Sequence, residues 1–301
     1  MRAARAFHLI DVFTRDRFDG AKLVVIECTE APTRELQQRL GREFGAAAAF
    51  LTPPADQINS ARVDCLSMQG DPVVLSPEAL IGAATVLARL RAGEILAQRG
   101  VVVALEACGQ TYACDVIRGA SGAPYAQVAL GLAPHASAFS PDAEALAQSL
   151  GLSIAELRFG RHEPRAFEAL GSYIYAPAQN RETLYRAHPR VGAISDALGD
   201  ARGLFLYAAD PVERDAAIHA RLFTRDGGEA PVCAEAVAGF AGVALAFERP
   251  ADGCHEFIVE QGHGAGRPAR VTLRMDVDDG ALIDVGIGGQ TALVASGTLT
   301  P

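Results

Sequence analysis

Two short runs in this 301-residue chain combine a potential nucleophile, a carboxyl and a helix start: Ser76-Pro77-Glu78 and Cys233-Ala234-Glu235. In the first, a capping Ser precedes Pro at the first helical position and an acid in the first turn. The two runs then continue alike, as Glu78-Ala79-Leu80-Ile81-Gly82-Ala83-Ala84 and Glu235-Ala236-Val237-Ala238-Gly239-Phe240-Ala241. Small residues at helical spacing let both helices be deeply buried. A matched pair, one per half, predicts a duplicated architecture in which both helix starts face one cleft. Helix N-termini there would offer unpaired N–H groups and partial positive charge.

Two chemistries and one non-catalytic reading follow from these residues. If Glu78 and Glu235 approach one another, repulsion and burial raise one pKa and leave a carboxylate beside a carboxylic acid. That pair can take a proton from one carbon and return one elsewhere. The alternative uses Ser76 and Cys233 at the equivalent cap positions, where a helix N-terminus stabilises a thiolate. Such a pair would suit epimerisation or dehydration of an amino acid. In the third reading the protein is a catalytically inactive pseudoenzyme or a metabolite-binding protein, whose cleft binds a metabolite or partner, or nothing. The plain structural role of each group also stays open. A first-turn acid stabilises its helix by about 0.3–1 kcal/mol with no chemistry, Ser76 then only caps, and Cys233 is only a small buried residue.

The elements that must position these residues alternate between strands and helices. Strands are predicted over residues 6–12, 22–28, 47–51 and 61–68, and Thr33 caps a helix over 34–44. The helix after Ser76 should run to about Ala92 and end at Gly93. A hairpin through Cys108-Gly109 joins strands over 100–106 and 110–117. The loop from Gly119 to Pro124 is the expected lobe boundary. The second half repeats the plan: strands over 125–130, 171–176, 203–208 and 217–224, shorter helices between them, and an Ala-rich helix from near Pro231 to Phe247. Strands over 255–261, 269–277 and 281–287 finish the chain, with turns at Asp279-Gly280 and Gly288-Gly289. The expected lobes are 1–120 and 121–285, with 286–301 packing back on the first.

Composition narrows the function classes. The chain is half hydrophobic and about a fifth charged, as in globular proteins. A net charge of −9 and the lack of a basic stripe speak against nucleic acid. No apolar run reaches membrane-spanning length, and residues 1–13 lack a signal-peptide h-region, so a cytoplasmic protein is expected. No Cys or His spacing matches a metal site, and no Gly-rich phosphate motif follows a strand, so neither metal nor nucleotide cofactor is expected. Cys108 and Cys114 could face each other across their hairpin; most of the six Cys read as buried thiols.

Further landmarks fall in a set order: Asp11-Val12-Phe13-Thr14 before Phe18-Asp19-Gly20, Ala220-Arg221-Leu222-Phe223 before Gly228-Glu229-Ala230-Pro231-Val232, and Gln261-Gly262 before Gly266-Arg267-Pro268-Ala269. From about residue 7 to 298 the chain resembles the PhzF-like isomerases, relatives of diaminopimelate epimerase. The resemblance implies an α+β fold of two pseudo-symmetric lobes, each a mixed barrel-like sheet around a central helix. It also implies a homodimer and cofactor-free proton shifts on a small-molecule metabolite. Candidate substrate-contacting positions are Ala47, Gly171, Glu229, Ala230 and Ala234. The family's general acid/base falls at Ala47, which carries no proton. Its Gly-His pair falls at Pro77-Glu78, and of its Glu-Asp-Pro run only Glu229 and Pro231 match.

Overall fold

The computed structural model describes residues 4–119 and 121–300. Residue 120, the expected end of the first lobe, lies outside them. The chain forms two compact units: one reaches to Ala129 and takes in the chain from Gly288 onward, and the other is Leu130–Ile287.

The first unit contains β1 (Arg5–Val12), β2 (Ala21–Glu27), α1 (Arg34–Phe44), β3 (Ala47–Thr52), β4 (Ala61–Leu66), β5 (Pro72–Val73), α2 (Pro77–Leu96), β6 (Val101–Ala107), β7 (Gln110–Arg118) and β8 (Pro124–Ala129). The second contains β9 (His135–Ala136), α3 (Ala143–Leu150), β10 (Arg165–Glu168), β11 (Ser172–Pro177), α4 (Arg181–Arg186), α5 (Val191–Leu198), β12 (Gly203–Ala208), β13 (Ile218–Thr224), β14 (Glu229–Ala230), α6 (Ala234–Glu248), β15 (Gly253–Gln261), β16 (Ala269–Asp278) and the start of β17 (Ala281–Leu299).

Pairing shows the duplication directly. In the first unit β1–β2 is antiparallel, β2–β3 parallel, β3–β4 and β4–β5 antiparallel, β4–β6 parallel, and β6–β7 antiparallel. In the second, β10–β11, β11–β12, β12–β13, β13–β14, β13–β15 and β15–β16 repeat that sequence of senses. The first unit closes on itself, because β7 pairs with β8, β8 with β17, and β17 with β1. Each unit is thus a mixed barrel-like sheet with one central helix, α2 or α6, so the fold is α+β as expected.

Beyond their first-turn acids, both central helices are buried on every side, over residues 79–88 of α2 and 236–244 of α6, which is the signature of a helix enclosed by its own sheet. The repeated glycine explains how closely the sheet approaches. A Cβ on Gly82 would lie 2.4 Å from a Leu23 methyl and 2.8 Å from one of Ile10; a Cβ on Gly239 would lie 2.0 Å from the Tyr175 hydroxyl. Helical geometry in α2 breaks at Ala92, as expected from the sequence, but a further turn carries the helix to Leu96.

Three expectations change. The loop before Pro124 does not separate the units. It turns β7 into β8, with Gly119 N–H donating to the Ala123 carbonyl at 2.8 Å. Gly288-Gly289 is not a turn but part of β17. These glycines admit Tyr125 and Phe13, whose atoms would lie 2.3 and 2.5 Å from added Cβ atoms. Cys108 and Cys114 are both free, since Cys108 occupies the exposed hairpin turn while Cys114 points inward from β7 opposite Val103. Only Cys28, Cys114 and Cys233 are buried. Among the described residues no helix is long and apolar enough to cross a membrane.

Candidate functional site

The landmark motifs build the rims of the two barrels. Asp11 is almost fully buried, and its Oδ2 accepts from the Phe18 N–H at 2.6 Å, pinning the loop after β1. Gly20 then turns at φ 64°, where any Cβ would strike the Val12 carbonyl. In the second unit Gly262 plays the same part at φ 79°, between the carbonyls of Arg267 and Pro231. These residues shape the turns after β1 and β15.

At the start of α2, Ser76 Oγ accepts from Ala79 N–H at 3.2 Å and donates to Glu78 Oε2 at 3.1 Å. Pro77 follows with no N–H to offer. Ser76 and Glu78 are both half-buried. Ala47 opens β3 opposite Leu23 of β2 and is likewise half-buried.

At the start of α6, Cys233 Sγ donates to Glu235 Oε2, again at 3.1 Å. The thiol makes no capping bond to the helix. Two neighbours fix the residue instead. The Tyr173 hydroxyl lies 3.4 Å from Sγ, and Cys233 N–H donates to Gln261 Oε1 at 3.2 Å. Burial, reinforced by Cys233 and Glu235, pushes the Tyr173 phenol far above its ordinary range, so it stays protonated. Gly171 precedes Tyr173 on the same strand start and packs against the Arg202 side chain. Ala234 is fully buried in the first turn of α6.

Glu229 and Ala230 form β14 beside Phe223 and Leu222. Glu229 Oε2 takes two bonds from Arg221, at 2.7 and 3.1 Å, while Oε1 is buried with no partner. Arg221 also donates to the Leu184 and Ala187 carbonyls at 2.8 and 2.9 Å, tying the end of α4 to β13. Glu229 is therefore first an anchor for that arginine.

Sequence spacing found no ligand set, yet the fold gathers His219, Glu260 and His263. In-register parallel pairing of β13 with β15 sets His219 beside Glu260. His219 Nδ1 lies 3.2 Å from Glu260 Oε2, and the His219 and His263 rings stand 4.6 Å apart. Burial alone would raise the Glu260 carboxyl, but bonds from His219 and from Val212 and Glu213 N–H hold it below the usual range. Burial, together with nearby His219, holds His263 below the ordinary histidine value. The signals in the sequence were adjacency alone: His219 precedes the Ala220-Arg221 landmark, and His263 follows Gln261-Gly262. Tyr173 carried no signal.

Across residues 10–297 the chain matches the model of the phenazine biosynthesis-like proteins, PhzC-PhzF. The chain belongs to this family. An uncharacterized isomerase from Mesorhizobium japonicum is 30% identical over 98% of both chains. Among solved structures, a PhzF-family phenazine biosynthesis protein of Bacillus anthracis superposes with a TM-score of 0.85 at 19% identity, covering 99% of this chain and 100% of that one. A protein of Pseudomonas aeruginosa described as a predicted epimerase gives 0.77 at 25% identity, covering 99% of both chains. The fold extends beyond the family. A hydroxyproline epimerase from Agrobacterium vitis, solved with bound trans-4-hydroxy-L-proline, gives 0.55 at 13% identity, covering 98% and 91%.

Proposed function

We propose that this family member is a cofactor-independent isomerase that moves a proton on a small metabolite, with Glu78 and Glu235 as the proton-transfer groups. One observation carries the reading: each carboxyl is held at 3.1 Å by the side chain of its own N-cap residue, at corresponding places in the two units. A carboxyl tethered in this way keeps a fixed direction, which general acid/base catalysis requires. The position that would ordinarily supply the family's acid/base is Ala47, so another titratable group must serve. The isomerase relative supports the reaction class.

A second reading rests on the thiol. Cys233 Sγ donates to Glu235 and has the Tyr173 hydroxyl at 3.4 Å, so a carboxylate is in place to receive its proton. In that version Cys233, with Ser76 at the corresponding cap, acts on an amino acid.

Incubation in D2O with a panel of small chiral amino and hydroxy acids tests both readings, with deuterium uptake at carbon followed by mass spectrometry. Uptake into at least one compound is expected, lowered about 100-fold or more by Glu78→Gln and by Glu235→Gln. Full uptake in both variants removes the carboxyls from the mechanism. If Cys233→Ser then abolishes it, the thiol reading replaces the first. Binding of a panel member without any exchange gives a metabolite-binding protein instead.

A further inference from the structure

Outside the helix starts, the second unit buries polar atoms that its own chain leaves unsatisfied. His219 is fully buried, yet its Nε2 has no hydrogen-bond partner, and neither does the buried Nδ1 of His263. Buried polar atoms are ordinarily paired, so two imidazole nitrogens left bare in one place point to a ligand.

Glu260 completes the set. It is 1% exposed, and its carboxylate is oriented by the N–H groups of Val212 and Glu213 at 2.7 and 2.8 Å. Each of His219, Glu260 and His263 offers one donor atom within 4.8 Å of the other two. We propose that these three residues hold a single divalent first-row transition metal of the zinc type. Two imidazoles and one carboxylate are a donor set for such an ion, with a fourth position left to solvent.

The geometry fits. Bonds of about 2.0–2.2 Å in a tetrahedral site put donor atoms roughly 3.3 Å apart, and donor atoms of the three residues already lie within 4.8 Å of one another. The longer edges close by movement of His263, which lies on a loop with Gly262, Gly264 and Gly266 beside it. The charge balance also permits a cation. Arg270 lies 3.8 Å from Glu260 Oε1, but its closer partners are Glu213 at 2.8 Å and Asp215 at 2.6 Å. The site does not depend on the isomerase reading. It would fasten β13, β15 and the 262–268 loop together near Gln261, which receives the Cys233 N–H.

The test uses the full chain, freed of metal by chelation and titrated with ZnCl2 by calorimetry and with CoCl2 by visible absorption. One equivalent of Zn2+ is expected to bind and raise Tm, with d–d bands for Co2+ of the intensity of a four- or five-coordinate site. His263→Ala lies on the half-buried loop; it should keep the metal-free Tm, weaken Zn2+ binding at least 100-fold and abolish the Co2+ bands. His255→Ala, toward the opposite end of β15 from Glu260, should bind as the unaltered chain does. His219→Ala should also lose binding, and His263→Ala keeps the test decisive if that fully buried change unfolds the protein. Failure to bind stoichiometric metal, or unchanged affinity in His263→Ala, overturns the proposal.

Discussion

The two units use one strand order and one central helix but fill them differently. Around α2 the sheet presses aliphatic ends, Leu23 and Ile10, against Gly82. Around α6 it presses Tyr175 against Gly239, and the same hydroxyl donates to the Ala236 carbonyl at 2.8 Å. The caps differ in the same sense: Ser76 satisfies a helix N–H, whereas Cys233 leaves that task undone and is held by Tyr173 and Gln261. Besides Asp11, the first unit buries only hydroxyl-bearing polar side chains among the described residues, whereas the second buries two imidazoles, a carboxylate and an amide. The buried side-chain atoms left without a partner among the described residues, on His219, Glu229, Gln261 and His263, all lie in the second, and these are the places where chemistry can be located.

The largest effect expected from this contrast is at the repeated glycines. Gly239→Ala must displace a rigid, hydrogen-bonded phenol, and should cost about 2–3 kcal/mol in urea denaturation. Gly82→Ala meets only methyl groups that can rotate aside, and should cost about 1–2 kcal/mol, partly offset by alanine's helix propensity. Adding Tyr175→Phe to Gly239→Ala should restore part of the loss. Equal costs at the two glycines, with no rescue, would erase the distinction.

Cap exchange comes next. Ser76→Ala should destabilise by about 1 kcal/mol, because Ala79 N–H loses its acceptor. Cys233→Ser should instead stabilise by up to about 1 kcal/mol, by giving α6 a cap that it lacks. Opposite signs in thermal melts are the expected result, and a loss at both positions would mean that the thiol packs better than a hydroxyl caps.

The smallest effect is electrostatic. Glu106 accepts from the Asn59 amide and from Ala55 and Asp56 N–H, which hold its carboxyl below the usual range. Asp226 is held low in the second unit by Thr224 and the Gly228 N–H. A lowered folded pKa means stability that is present above the unfolded value and lost as pH falls through the folded one. Glu106→Gln and Asp226→Asn should each flatten the urea midpoint between neutral and acid pH, slightly and alike. A steeper acid dependence in either variant would contradict that sign.

Much of the fold was legible because its signals are local. The echo from Glu78 to Ala84 and from Glu235 to Ala241 marked the two central helices, since only small residues let a sheet close around a helix. Cys108-Gly109 and Asp279-Gly280 marked tight hairpins, and all four residues take positive φ. Gly288-Gly289 misled because a glycine that admits a neighbouring ring and one that makes a turn look the same in sequence. The site was less legible. Tyr173 meets Cys233 only because β11 runs past the start of α6, and Glu229 proves to be Arg221's partner only once β13 pairs with β14.

The sequence by itself determined the duplicated α+β plan, the helix starts and the residues that cap them, because periodicity, capping and glycine placement act over a few neighbouring positions. Only the tertiary structure decided that His219, Glu260 and His263 share one buried spot and that Tyr173 and Gln261 hold Cys233 at the start of α6. Strand register and side-chain direction bring together residues that chain distance keeps apart, and spacing along the sequence carries no record of that.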